Sequence, residues 1–367
     1  MTGKFICLLL TISFLTAAAF AQKKSQDSVP AYPKCSAPIS SLPVPTGPHG
    51  LFVLMFPGAP QNGKAEKYLM HNPVVCGGAI YVIWSKVDRG PGANPRYDWS
   101  SVEDQMAPWV AAGKMVSFIV WATGYGANAE ATPQYVFDKV PSVTCPSFGH
   151  TPVFWNRDFM SSYQSFMAAM VEKFKNNASV SYIRFGMGAG GETFPACMFA
   201  LKKYGFSEST WQKYLYDMLD YEKSLNSPKQ IGIGISAFGN PPNLENAAAT
   251  ADHAVKDGIA IGNQALSGRD VQDYGDGRPC TGNWCRNFIE NKGKVPFVLQ
   301  TAMYNWQGNR TSMVEALPFA MGLGAQVFEL TMRHWISAYD PSDPDYAAHH
   351  LEDQKMFEDA AKTLGGS

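Results

Sequence analysis

Short apolar runs alternate with helix-length segments along most of the chain. Leu51–Pro57 (LFVLMFP) and Gly78–Val87 (GAIYVIWSKV) predict two strands. Ser100–Ala112 predicts a helix, with Asp98 or Ser100 as its cap ahead of an acidic first turn. Met115–Thr123 (MVSFIVWAT) predicts a third strand, and a long loop through Cys145 leads to a helix over Arg157–Asn176. In that helix Phe159, Tyr163, Phe166, Met167, Met170, Val171 and Phe174 recur at three- and four-residue intervals, an apolar stripe of helical period. Val180–Gly186 is the fourth strand and Ser209–Leu225 the helix after it. Gln230–Phe238, Ile259–Leu266, Val295–Tyr304 and Ala325–Thr331 complete eight strands. Further helices are expected near Glu245–Asp257, Trp284–Asn291, Ser312–Gly322 and His350–Leu364.

Eight strand–helix units, with strands apolar on both faces, predict an α/β fold in the form of a single (β/α)8 barrel over residues 49–367. A doubly wound open sheet is the competing architecture; the count of eight, with no second domain left over, favours the barrel. Residues 22–48 carry a basic, polar start and several prolines, and predict an irregular lead-in. Before them, Lys4, the apolar run Phe5–Ala18 and the small residues around Ala19-Phe20-Ala21 have the layout of a signal peptide cleaved after Ala21. The mature protein is therefore expected to be secreted or periplasmic, without a membrane segment.

A net charge of −1, with 46% hydrophobic and 17% charged residues, excludes a disordered chain and a polybasic nucleic-acid binder. A monomer is the expectation. Cys7 belongs to the signal, leaving Cys35, Cys76, Cys145, Cys197, Cys280 and Cys285, an even number that favours disulfides in an exported protein. Cys280 and Cys285 bracket Thr-Gly-Asn-Trp and are expected to form a local bridge; the pairing of the other four is open. Repeated Cys-x-x-Cys or Cys/His spacing is absent, so no zinc site is expected, and no cofactor. Asn177-Ala-Ser and Asn309-Arg-Thr are glycosylation sequons.

A barrel places its chemistry on the loops that follow the strands. Those positions hold Trp84 and Asp88 after the second strand, and Trp121 and Tyr125 after the third. The fourth supplies Arg184 and, beyond a glycine-rich run, Glu192. Asn263 and Gln264 follow on the sixth strand, and Gln300, Tyr304, Asn305 and Trp306 on the seventh. Glu329, Arg333, His334 and Trp335 end the eighth. Flat aromatics, amides and a few carboxylates suit a sugar, whose ring faces stack on aromatics and whose hydroxyls need hydrogen-bonding partners.

The stretch GGAIYVIWSKVDRGPGANPRYDWSSVEDQMAPWVAAGKMVSFIVWA resembles the second and third βα units of barrel glycoside hydrolases of the large retaining clan. YIRFGMGAGGE is similar to the end of their fourth strand, which carries the acid/base glutamate. The resemblance covers about a quarter of the chain and implies Glu192 as proton donor, with Trp335 as the floor of the subsite beside the scissile bond. Where that clan has its nucleophile, on the seventh strand, this chain has Gln300, and an amide cannot act as a carboxylate. Alternation in AQVFELT puts Val327, Glu329 and Thr331 on one face, so Glu329 is the nearest substitute. Its alternative is a structural salt bridge to Arg184 or Arg333. Asp88 and Asp270 are held in reserve.

The expected activity is hydrolysis of a glycosidic bond by two carboxylates, Glu192 and Glu329, with substrate contacts from Trp84, Trp121, Arg184, Asn263, Gln300, Tyr304, Trp306, His334 and Trp335. The alternative is a carbohydrate-binding barrel that has lost its chemistry. Gly186 to Gly191 also spell the dinucleotide fingerprint, but Thr193-Phe-Pro-Ala-Cys does not open a helix, which argues against that use. The Asp340, Asp343, Asp345 run and the Asp270, Asp273, Asp276 loop read as solvated turns in preference to calcium loops.

Overall fold

A computed structural model describes residues 35, 37–124, 126, 130–266, 285–301 and 313–365, apart from the side chains of Ala265 and Cys285. The signal segment, Tyr125, Asp270, the Cys280–Cys285 bridge, Tyr304 and Trp306 lie outside the described residues.

In chain order the strands are β1 (Gly50–Met55), β2 (Gly77–Ile83), β3 (Met115–Trp121), β4 (Ser142–Cys145), β5 (Gly149–Pro152), β6 (Val180–Phe185), β7 (Gln230–Gly234), β8 (Ala260–Leu266), β9 (Phe297–Thr301) and β10 (Val327–Thr331). Eight of them close into a parallel barrel in the order β1-β10-β9-β8-β7-β6-β3-β2, and β4 pairs with β5 as a separate antiparallel hairpin. The expected (β/α)8 architecture is the observed one. The hairpin lies inside the stretch expected to be a long loop.

The barrel strands read as unbroken apolar runs because both of their faces are buried. One face packs outward: Val53, Ile80, Phe118, Ile183, Ile233, Leu299 and Phe328 join the helices in the main core. The alternate face fills the interior with Phe52, Leu54, Ala79, Tyr81, Ile119, Trp121, Tyr182, Val298 and Val327. Helix Arg157–Phe174 buries all seven residues of its predicted stripe. Asn156 caps it by accepting the Asp158 N–H, and Ser207 caps helix Glu208–Ser224 by accepting from Thr210. Asp98 accepts the Ser100 N–H at the head of Ser100–Ala111.

Two disulfides fasten the periphery. Cys35–Cys76 ties the lead-in to the residue before β2, and Cys145–Cys197 ties the hairpin to the loop beyond β6. The lead-in is further anchored across the barrel's amino-terminal end, where Gln326 bonds both the N–H and the carbonyl of Val44 and the carbonyl of Pro48.

β2 ends at Ile83, four residues earlier than expected, because Trp84 begins a helical turn, Trp84–Val87, and swings away from the barrel mouth. Its indole is fully buried against Phe159, Tyr163 and Phe166, with ring centroids 5.0–5.9 Å away. This corrects the expectation of a sugar platform at Trp84. Its Nε1 donates to Asp88, which also takes Arg96 and Tyr135. Burial alone would raise the Asp88 carboxyl; these hydrogen bonds outweigh it and hold the group below its usual range. Asp88 is thereby a structural anchor in place of a reserve catalytic acid. Trp84→Ala is expected to cost about 3–5 kcal/mol in a urea melt, the range for a buried tryptophan; a melt matching the parent, with loss confined to glycan binding, would restore the platform reading.

Candidate active site

The inward side chains at the carboxyl-terminal ends of the strands meet in the barrel, and a strand's period of two selects them. On β6 these are Tyr182 and Arg184. On β10 it is Glu329, whose Cα is level with Gln300 of β9 and Phe52 of β1. Arg184 Nη2 stands 2.9 Å from Glu329 Oε2 and donates to Gln300 Oε1 at 2.8 Å. Tyr182 donates to Glu329 Oε1 at 2.8 Å. Arg184 and Glu329 are both 0% exposed. Burial raises the Glu329 carboxyl, opposed by the Arg184 charge and the Tyr182 hydrogen bond. This carboxylate points into the barrel, as its alternation requires. It is sealed from solvent, however, and engaged by an arginine and a tyrosine. The structural salt bridge to Arg184 is therefore what forms, and the expectation of an accessible second catalytic carboxylate at Glu329 is corrected.

Glu192 reaches the rim by a different route. After β6 the chain turns back on itself: the N–H groups of Met187 and Gly188 both donate to the Glu192 carbonyl, and Gly190 N–H donates to Thr123. A Cβ on Gly188 would sit 2.2 Å from the Phe194 carbonyl oxygen, and Gly191 adopts φ +82°, so both positions require glycine. The glycine-rich run thus serves a tight loop. The loop sets Glu192 in a bridge with Gly234 at the end of β7. There Ser236 Oγ donates to Glu192 Oε2, and Thr193 is fixed by hydrogen bonds with Gly234 and Ser236. Glu192 keeps part of its surface exposed. Burial raises its carboxyl, and the Ser236 hydrogen bond and the Arg184 charge oppose the rise without cancelling it.

Tyr81 of β2 joins the two halves. Its phenol is pushed up by burial, feels the charges of Arg184, Glu329 and Glu192, and hydrogen-bonds Gln300. Phe56, Tyr81 and Trp121 pack edge to face at centroid separations of 4.9–5.8 Å. Trp121 also lies 3.1 Å from where a Gly191 Cβ would be, next to Glu192. At 1% exposure Trp121 is a wall of the barrel mouth and offers no open stacking face.

The structure brings together Glu192, Arg184, Gln300, Glu329 and Trp121 and places Asn263, 8% exposed, on the neighbouring β8. It does not bring in His334 and Trp335, expected on a loop after the eighth strand. Met332–Tyr339 is a helix that buries His334 and Trp335. Trp335 stacks on Phe357 of helix Tyr346–Thr363 at 4.3 Å, outside the barrel, so it does not floor a subsite. Asp343 and Asp345 pair with Arg333, and Asp340 with Lys64; Asp340 and Asp343 are buried, so the run is an ion-paired turn and not the solvated one expected. Tyr81, Tyr182 and Ser236 were not anticipated. Alternation back from Arg184 points to Tyr182, and alternation along β2 points to Tyr81. Ser236 carries no comparable signal.

Neither a protein-family model nor a curated protein matches the chain. Solved structures do. The catalytic domain of β-amylase from Paenibacillus polymyxa superposes with a TM-score of 0.59 at 12% identity, covering 85% of this chain and 98% of that one. A β-galactosidase from Bacillus circulans sp. alkalophilus gives 0.53 at 11% identity, covering 89% of this chain and 56% of that one. A β-galactosidase from the psychrophilic Marinomonas ef1 gives 0.51 at 11%, covering 86% and 61%. The chain shares their barrel fold.

Removing one partner of a buried ion pair leaves a charge without compensation. Glu329→Gln is expected to lose about 3–5 kcal/mol in chemical denaturation, and Glu329→Leu combined with Arg184→Met to recover most of it. Full stability in the single variant, with abolished activity, would return Glu329 to a catalytic role.

Proposed function

We propose that the chain is a glycoside hydrolase with Glu192 as its proton donor. The observation that supports this reading most is the Glu192 carboxyl: partly exposed at the catalytic rim, raised by burial and held at one oxygen by Ser236. A raised carboxyl retains its proton at pH values where an ordinary glutamate has lost it, as a general acid requires. The barrel fold shared with β-amylase and β-galactosidase structures supports the same class of chemistry. The apolar amino-terminal segment and the two disulfides support export to a secreted or periplasmic, oxidising compartment. Among the described residues no helix is long and apolar enough to cross a membrane.

In this mechanism the Glu192 proton passes to the departing glycosidic oxygen and the bond from that oxygen to the anomeric carbon breaks. Water adds to the anomeric carbon, and the proton it releases returns to Glu192. The Arg184–Glu329 pair acts underneath: it fixes Gln300, and the arginine's charge keeps the Glu192 carboxyl from rising further.

Glu192→Gln is expected to lower the release of reducing ends from a cleaved glycan by about 100- to 10,000-fold while leaving binding measurable. Unchanged cleavage would remove Glu192 from the role. Binding without new reducing ends in the parent protein would favour the non-catalytic carbohydrate-binding barrel. The acid form is present below the raised pKa and lost as pH rises through it. Ser236→Ala deletes a hydrogen bond that favours the carboxylate, so the alkaline limb of the activity profile should move to higher pH; a shift to lower pH would contradict the assignment.

A further inference from the structure

A cavity of about 500 Å³ opens over the carboxyl-terminal ends of β1, β9 and β10, inside the roughly 300–1,000 Å³ span of small-molecule sites. Phe56 connects it to the acid: the ring lines this cavity and packs edge-on against Trp121, which abuts the glycine before Glu192. Leu54, Phe56, Met332 and Pro344 supply an apolar lining on which the carbon face of a ring can rest.

The polar groups narrow the occupant. Asn62 donates its side-chain N–H to the Phe56 carbonyl at 2.9 Å, which fixes the amide orientation and leaves Oδ1 as a pure acceptor. That oxygen is buried and finds no hydrogen-bond partner among the described residues; the same holds for Thr331 Oγ1. Both residues line the cavity, and buried polar atoms of this kind gain most from a donor on a ligand. The guanidinium charges are already neutralised. Arg333, the one ionisable side chain among the described lining residues, is paired with Asp343 and Asp345, and Arg184, behind Gln300, is paired with Glu329. A carboxylate or sulfate group brought here would meet no uncompensated guanidinium, and the second aspartate on Arg333 leaves that cluster net negative, which disfavours an anion further.

We infer that this cavity is a subsite for an uncharged, hydroxyl-rich ring, a neutral sugar unit, and that Asn62 and Thr331 select it by accepting from its hydroxyls. The inference rests on the hydrolase reading for the role of that ring as part of the substrate, and it adds what the reading leaves open, namely the exclusion of uronic and sulfated sugars.

The test measures binding by calorimetry and cleavage by reducing ends with cellotetraose, mannotetraose and galactotetraose, using tetragalacturonate as the charged counterpart. The proteins are the parent, Glu192→Gln, Asn62→Ala, Thr331→Val and Thr331→Ser, each checked for an unchanged thermal melt. At least one neutral tetrasaccharide should bind, tetragalacturonate should not, and Asn62→Ala and Thr331→Val should each weaken binding and raise KM about three- to tenfold, the value of one lost hydrogen bond. Thr331→Ser, which keeps the hydroxyl, should bind like the parent. Equal or tighter binding of tetragalacturonate would overturn the inference, as would neutral-sugar binding indifferent to both substitutions, or no binding of any neutral sugar. Neutral-sugar binding weakened by both substitutions, with no cleavage by the parent, would uphold the subsite and sink the hydrolase reading instead.

Discussion

The arrangement of the barrel interior follows from one buried ion pair, Arg184 with Glu329, drawn from strands that face each other across the barrel. Taking two charges out of water is unfavourable, and a pair of this kind is commonly no more stabilising than apolar groups of the same volume. What it supplies here is position. Tyr182 donates to one oxygen of the glutamate and Gln300 accepts from one nitrogen of the arginine, so four side chains from three strands share one network. An apolar barrel centre would close the interior equally well but would hold Gln300 in no particular orientation.

That network reaches the rim by electrostatics. Glu192 is raised by burial, and among the described residues the formal positive charge acting against the rise is Arg184. The arginine is itself screened by Glu329, so its influence on Glu192 is smaller than that of an unpaired guanidinium at the same place. A bare arginine would drive the glutamate toward full ionisation, whereas an apolar residue would leave burial unopposed. The paired arginine lies between these limits, and Ser236 acts in the same direction as the arginine through a single donated hydrogen bond. The glycine-rich loop has its place in this scheme: only a chain without side chains at Gly188 and Gly191 can fold tightly enough to bring Glu192 back to the end of β7.

The barrel was legible because its strands are buried on both faces, which leaves an unbroken apolar run for each, and because the intervening helices carry stripes of helical period. Glu192 was legible for the same reason: once the fourth strand is located, the loop after it is located too. Tryptophan misled. Trp84 and Trp335 stand immediately beyond strands, but a residue there can turn toward the barrel mouth or outward beneath the helices, and burial of a large apolar ring favours the second. Helix Met332–Tyr339 was hidden because it is only eight residues long and begins directly after β10, so its start reads as the end of the strand. Ser236 was illegible because a serine after a strand is common, and only the folded loop shows which carboxylate it meets.

The departure at Gln300 has a structural counterpart one strand away. Glu329 is the Cα partner of Gln300 in the β9–β10 register, so the negative charge missing from the seventh barrel strand sits at the same height on the eighth. The move changes what the charge can do. On β9 the side chain at this level borders the cavity and retains some exposure; on β10 it is enclosed between Tyr182 and Arg184. A carboxylate in the first position can meet a substrate, and in the second it can only hold an arginine. The neutral amide left at the cavity accepts from that arginine and presents no charge to a ligand. The interior therefore keeps its electrostatic balance while the wall that a sugar would touch becomes neutral. Under the proposed hydrolysis, this leaves proton transfer to Glu192.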